Sequence, residues 1–190
     1  MTTKPYRFSL VIALLLVCNT VTLSSAQDSP ADIATRSYKI STMGSVEMSV
    51  PVHWQENVRL LEEPPAFTLA YRLPAVKDFY MKVTSAWEPQ PERASRDPGW
   101  LRRAAERAGG ALDKRNLKLI EVNGPSAKGY YFQLAHKEKF PIGEFKFLLV
   151  GIVDLRTITV AFSAYSNEKD APQFIEALKV IESARFVPAN

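Results

Sequence analysis

The chain has 190 residues, 46% of them hydrophobic and 23% charged, with 13 prolines, 8 glycines and a formal charge of +4. These proportions exclude a collagen-like repeat, a coiled coil and a wholly disordered chain, and the length suits one globular domain. Two histidines, one cysteine and no glycine-rich phosphate loop leave little material for familiar catalytic signatures.

The amino terminus reads as a secretory signal. Lys4 and Arg7 precede an apolar stretch at 8–17, broken only by Ser9, and Ser24, Ser25 and Ala26 supply small residues before Gln27. The stretch is too short to span a bilayer, which takes about 20 apolar residues, so no transmembrane segment is expected once the signal is removed. Cys18 follows Leu15, Leu16 and Val17. A leucine three positions before the cysteine fits a lipoprotein site, but such sites carry Gly, Ala or Ser where Val17 stands. Cleavage after Ala26 is therefore the reading adopted, with lipidation of Cys18 as the alternative. The expected organisation is a signal peptide at 1–26, a flexible tether at 27–37 and a single domain at 38–190.

Removing Lys4 and Arg7 from the 24 basic residues leaves 22 against 20 acidic, so the exported chain is nearly neutral. The densest basic stretch, 93–115, mixes seven Lys or Arg with three acids, as a solvated helix face does. Nucleic acid is not an expected partner.

Residues 45–50 alternate, with Val46, Met48 and Val50 on one side, which predicts a half-buried strand ending at Pro51. Residues 58–61, 67–73 and 79–87 predict three more, with Glu62, Glu63, Pro64 and Pro65 in a turn. Connections this short predict an antiparallel meander. A proline-rich connector leads to Asp97 and Pro98, a capping pair for a helix whose Leu101, Ala104, Ala105, Ala108 and Leu112 share one face. Gly109 and Gly110 weaken that helix, and they either let it lie close against a sheet or end it early. Asn123 and Gly124 then join strands at 117–122 and 128–136. Residues 144–155 are apolar on both faces: Phe145, Phe147, Leu149 and Val153 on one, Leu148, Val150 and Ile152 on the other. Such a strand is covered above and below. A strand at 157–165 and a helix from Pro172 with Phe174, Ala177, Leu178 and Ile181 inward complete an α+β fold, an antiparallel sheet of about seven strands with helices packed on it.

Candidate chemistry is sparse. His53 and His136 lie 83 positions apart, without the close spacing of metal ligands, and no calcium-loop pattern occurs, so no metal and no cofactor are expected. Gly124, Pro125, Ser126, Ala127 and Lys128 lack the last glycine of a nucleophile elbow and sit in a hairpin turn. Glu62 and Glu63 point to opposite sides of an extended chain. Aromatic residues make up 11%, and exposed ones anchor docking surfaces. Trp87 and Trp100, flanking the connector, are the candidate docking residues.

The run from Ser45 to Trp54, a strand followed by Pro51, Val52, His53 and Trp54, resembles the opening of the PsbP-like family. The ending is similar too, with a long hairpin, a final helix and a short exit strand at 183–186. The superfamily also holds a Ran-binding nuclear import factor and bacterial exported proteins of the DcrB type. Spanning about 38–187, the resemblance implies an antiparallel sheet between helical layers, an α/β/α sandwich, and a non-catalytic accessory or binding role, with an envelope protein or complex as partner. No site residue is carried over. The expected function is thus an exported binding domain. The alternatives are a secreted hydrolase-like enzyme with a site assembled around His136, and a lipid-anchored envelope protein.

Overall fold

The computed structural model describes residues 32–40, 42–61, 66–74, 76–87, 99–112, 117–135 and 145–189. In chain order the described elements are β1 (Ile33–Ile40), β2 (Gly44–Pro51), β3 (Gln55–Leu61), β4 (Ala66–Leu73), β5 (Val76–Trp87), α1 (Trp100–Leu112), β6 (Ile120–Asn123), β7 (Lys128–Ala135), β8 (Phe147–Asp154), β9 (Ile158–Ser166), α2 (Pro172–Glu182) and β10 (Arg185–Pro188). The strands form two sheets, one ordered β1-β2-β10 and one ordered β3-β4-β5-β9-β8-β7-β6, with every neighbouring pair antiparallel.

Period-2 alternation gives the larger sheet an inner and an outer face. Its inner face presents Phe67, Leu69 and Tyr71 from β4, Phe79, Met81 and Val83 from β5, and Val160, Phe162 and Ala164 from β9, all buried. These residues join one core with Val46, Met48 and Val50 of β2 and with Phe174, Ala177, Val180 and Ile181 of α2. The three-stranded sheet and α2 therefore lie over the inner face. Helix α1 packs on the outer face against β7 and β8. The α+β architecture expected from the sequence is present, with a second small sheet added.

Two glycines mark close approaches. Gly44 opens β2 at φ 141°, and a Cβ there would collide with the Val187 carbonyl of β10. Gly124, in the β6–β7 hairpin, lies against the Glu182 carbonyl at the end of α2. By contrast, Gly109 makes room for the Leu117 side chain, so it brings the α1 end to the following segment rather than to the sheet.

Two expectations are corrected. The meander holds for β3, β4 and β5, but β2 does not join it: β2 pairs with β1 and β10, because Pro51 and the 52–54 turn carry the chain from one sheet to the other. The stretch read as a tether becomes strand at Ile33, since β1 pairs with β2 along its whole length from Ile33 opposite Pro51 to Ile40 opposite Gly44. Backbone pairing, rather than apolar alternation, holds its first half: Ile33 is 65% exposed. The signal peptide, Cys18, Glu62, Glu63, the capping pair Asp97 and Pro98, and His136 lie outside the described residues. No described helix is long and apolar enough to cross a membrane.

Candidate functional site

Register places three rows of side chains across the outer face. One runs Arg72, Tyr80, Tyr165, Leu148; the next runs Asn57, Ala70, Lys82, Ser163, Val150, Phe132; the third runs Arg59, Thr68, Thr84, Ala161, Ile152, Tyr130. Each row changes from polar or cationic over β3, β4 and β5 to apolar over β8 and β7. In the first row the Arg72 guanidinium lies 5.6 Å from the Tyr80 ring centre, Tyr80 lies 5.8 Å from Tyr165, and Tyr165 lies 5.8 Å from Phe145. A cation on one aromatic face and tilted ring pairs beside it make a firm shelf.

The polar side is a groove of about 520 Å³ containing Arg59, Arg72, Lys82, Tyr80 and Asn57. Among the described residues, Arg59, Arg72 and Lys82 make no ion pair. The carboxylate at the groove rim, Glu56, is engaged elsewhere: it meets Arg36 at 2.9 Å and accepts a hydrogen bond from the Tyr38 hydroxyl at 2.5 Å. Unpaired cations on a concave surface set up a positive local potential.

Beyond Lys82 the face is apolar, and α1 stands over part of it. The helix meets the sheet through Ala104, Ala105 and Ala108, so it approaches closely but fills little volume. A slot of about 270 Å³ remains between its edge and β8–β9, floored by Val150, Ile152 and Ala161. Leu148 is buried, whereas Val150 and Ile152 are half-buried. The strand predicted to be covered above and below is thus sealed on its inner side at Leu149 and Val153 and only partly covered on its outer side.

The cluster with the strongest internal bonding lies at the inner face. Arg36 donates to the carbonyl of Trp54 at 3.0 Å while paired with Glu56, and Tyr38 and Tyr71 share a hydrogen bond of 2.8 Å. Burial raises the proton affinity of both phenols, and the hydrogen bond to Glu56 raises that of Tyr38 further. For Arg36 burial pulls the pKa down, but the bond and charge of Glu56 prevail and it is raised. Each group is thereby fixed in its neutral-pH form. The arrangement ties β1 and the β2–β3 turn to the edge of the larger sheet.

Trp100 opens α1, half-buried, and borders neither groove nor slot. Trp87 ends β5, paired with Ile158, and its side chain lies outside what the structure describes. The third tryptophan, Trp54, is 1% exposed and packs against Tyr71 and Phe79, with ring centres 5.7 and 5.3 Å away. Sequence reasoning missed Arg59, Arg72 and Lys82 because they are scattered over three strands. For Arg72 and Lys82 the available signal was the alternation itself, since Arg72 sits between buried Tyr71 and Leu73 and Lys82 between buried Met81 and Val83; Arg59, beside exposed Val58, had no such signal.

No described protein family matches the sequence, and no curated protein does. Among solved structures, the chain is similar to cyanobacterial PsbP (CyanoP) from Synechocystis sp. PCC 6803, at 14% identity and a TM-score of 0.48, over 86% of this chain and 98% of that one. It is also similar to a protein of Bacteroides thetaiotaomicron VPI-5482, at 12% identity and a TM-score of 0.46. That match covers 75% of this chain, which spans 45% of the length of the other. The PsbP-like resemblance seen in the sequence is met again in the first of these. At such scores the likenesses say nothing about what this chain binds or does.

Proposed function

We propose that the protein is an exported, non-catalytic binding domain that docks an acidic surface of an envelope protein through the open part of the outer sheet face. The observation that carries this reading is the groove of Arg59, Arg72 and Lys82, three cations without an ion pair among the described residues, braced by Tyr80. Cations left without partners on a shaped surface gain from meeting carboxylates and steer association. The signal grammar of residues 1–26 supports export. Trp87 and Trp100, which precede and follow the proline-rich connector in sequence, are a separate candidate contact, because Trp100 borders neither groove nor slot and Trp87 pairs with the core residue Ile158.

The test is affinity purification from the native envelope fraction with three baits: the unaltered protein, the double variant Arg59→Glu with Arg72→Glu, and Trp100→Ala. One protein recovered in stoichiometric amount by the unaltered bait, lost at high salt and lost from the charge-reversed bait, is the expected result. Undiminished recovery by the double variant removes the groove from the interface. Loss from Trp100→Ala alone moves the contact to the start of α1.

A further inference from the structure

The slot beside α1 and the cationic groove meet at one side chain, Lys82, which borders both. On one side of it the lining is alanine, valine and isoleucine. On the other it is mostly polar, with Arg59, Arg72, Asn57 and Tyr80, and its one carboxylate, Glu56, is paired with Arg36. Ser163 and Thr84, the neighbours of Lys82 at the mouth, add two hydroxyls; that of Thr84 shares a hydrogen bond of 3.3 Å with Thr68 and can donate to an anion when Thr68 is the donor between them. The apolar floor is left partly in water because α1 covers it with alanines, although Ala104 and Ala108 would admit larger residues only at the expense of the slot.

We propose that this slot binds a free single-chain fatty carboxylate, its acyl chain along Val150, Ile152 and Ala161 and its carboxylate at Lys82. The change from apolar to cationic across one residue is the pattern an amphiphilic anion satisfies at both ends. A purely polar anion would leave the floor in water, and an amphiphilic cation would set like charges together at Lys82 with Arg72 one diagonal step away in the ladder. A single acyl chain suits one narrow wall of alanines, and a lone ammonium with two hydroxyls suits one carboxylate. The site needs no protein partner, so it stands or falls apart from the docking of the groove.

Calorimetric titration of the purified protein with dodecanoate, below micelle formation, is the test. One equivalent is expected to bind saturably. Octanoate binds more weakly, by up to about fourfold for each methylene that leaves the slot. Dodecyltrimethylammonium, with the same tail and the opposite head, and butyrate, with the head and little tail, bind at least tenfold more weakly. Ala108→Phe and Ala161→Phe each fill the slot from opposite sides at exposed positions, and each lowers dodecanoate affinity at least tenfold with the melting temperature unchanged. Lys82→Glu lowers it about tenfold. Should one filled variant fail to fold, the other decides. Equal binding of dodecyltrimethylammonium, wild-type affinity in a folded filled variant, or no saturable binding of dodecanoate overturns the proposal. Arg59 and Arg72 are intact in Ala108→Phe, so recovery of a protein partner by that variant tests docking separately.

Discussion

On the inner face of the larger sheet Phe67, Tyr71, Met81 and Phe162 are sealed beneath the small sheet and α2, whereas on the opposite face of the same strands Ala70, Lys82 and Ser163 stand wholly or partly in water. The polar groups differ in the same way. Beneath the small sheet, Arg36, Glu56, Tyr38 and Tyr71 satisfy one another, so their chemistry is spent on holding two sheets together. On the outer face Arg59, Arg72 and Lys82 have no such partners among the described residues, and α1 leaves apolar floor uncovered. One sheet thus has a sealed side whose polar groups satisfy one another and an open side with unpaired cations and uncovered apolar floor.

The largest expected effect lies inside. Trp54→Ala removes a fully buried side chain against Tyr71 and Phe79 and is expected to cost about 3–5 kcal/mol, read from the urea midpoint at constant slope. Trp54→Phe sharpens the result. The indole N–H has no hydrogen-bond partner among the described atoms, so nothing polar is lost, and the cost should fall below about 1.5 kcal/mol. A Phe variant as damaged as the Ala variant would show that the indole nitrogen has an unseen role.

Arg36→Met tests whether the inner polar cluster is structural. It leaves the Glu56 carboxylate facing two phenols without its cation, at an expected cost of about 1–3 kcal/mol. The pH dependence follows from Tyr38 and Tyr71. Both have a raised proton affinity in the folded state, so their contribution is fully present below the ordinary tyrosine value of 10.0 and is lost as pH rises above it, where the unfolded chain gives up protons that the folded one retains. Denaturation midpoints measured from pH 8 to 11 should fall above pH 10, and Tyr38→Phe with Tyr71→Phe should flatten that fall.

The same division explains what the sequence could reveal. Strands β4, β5, β8 and β9 were legible because their inner residues recur with period two between turn signals. β1 was not, because its first half is held by hydrogen bonds to β2 and shows no apolar run. The exchange of β2 into the small sheet was also hidden: connection length allows a hairpin between β2 and β3, and only long-range pairing with β10 excludes it. The apolar outer residues of β8 announced a cover, yet the thinness of that cover depends on α1 presenting alanines at a distance no periodicity encodes. As for the site, Arg59, Arg72 and Lys82 are far apart in sequence and become neighbours only through the β3–β4–β5 register.

Between the two extremes stands the seam of α1, where Ala105 is buried against the sheet and Ala108 is exposed at the slot. Ala105→Leu should destabilise by about 1–3 kcal/mol through overpacking, measured by thermal or urea unfolding, while Ala108→Leu leaves stability nearly unchanged. Equal losses at both positions would mean that the slot closes in solution.

The smallest stability effect is expected where the binding effect is greatest. Arg59 is exposed on the edge strand, and Lys82 is exposed beside Ala70 and Ser163; neither has an ion pair to lose. Reversing such charges normally shifts stability by no more than about 0.5 kcal/mol. It can even raise it, because three cations on adjacent strands repel one another and a carboxylate at Arg59 relieves part of that repulsion. Arg59→Glu and Lys82→Glu should therefore melt within a degree or two of the unaltered protein, with a slight gain that disappears as salt screens the groove. A loss of more than about 1 kcal/mol from either would mean that the charge supports the sheet itself, and the separation of an inner holding face from an outer binding face would fail at its most exposed point.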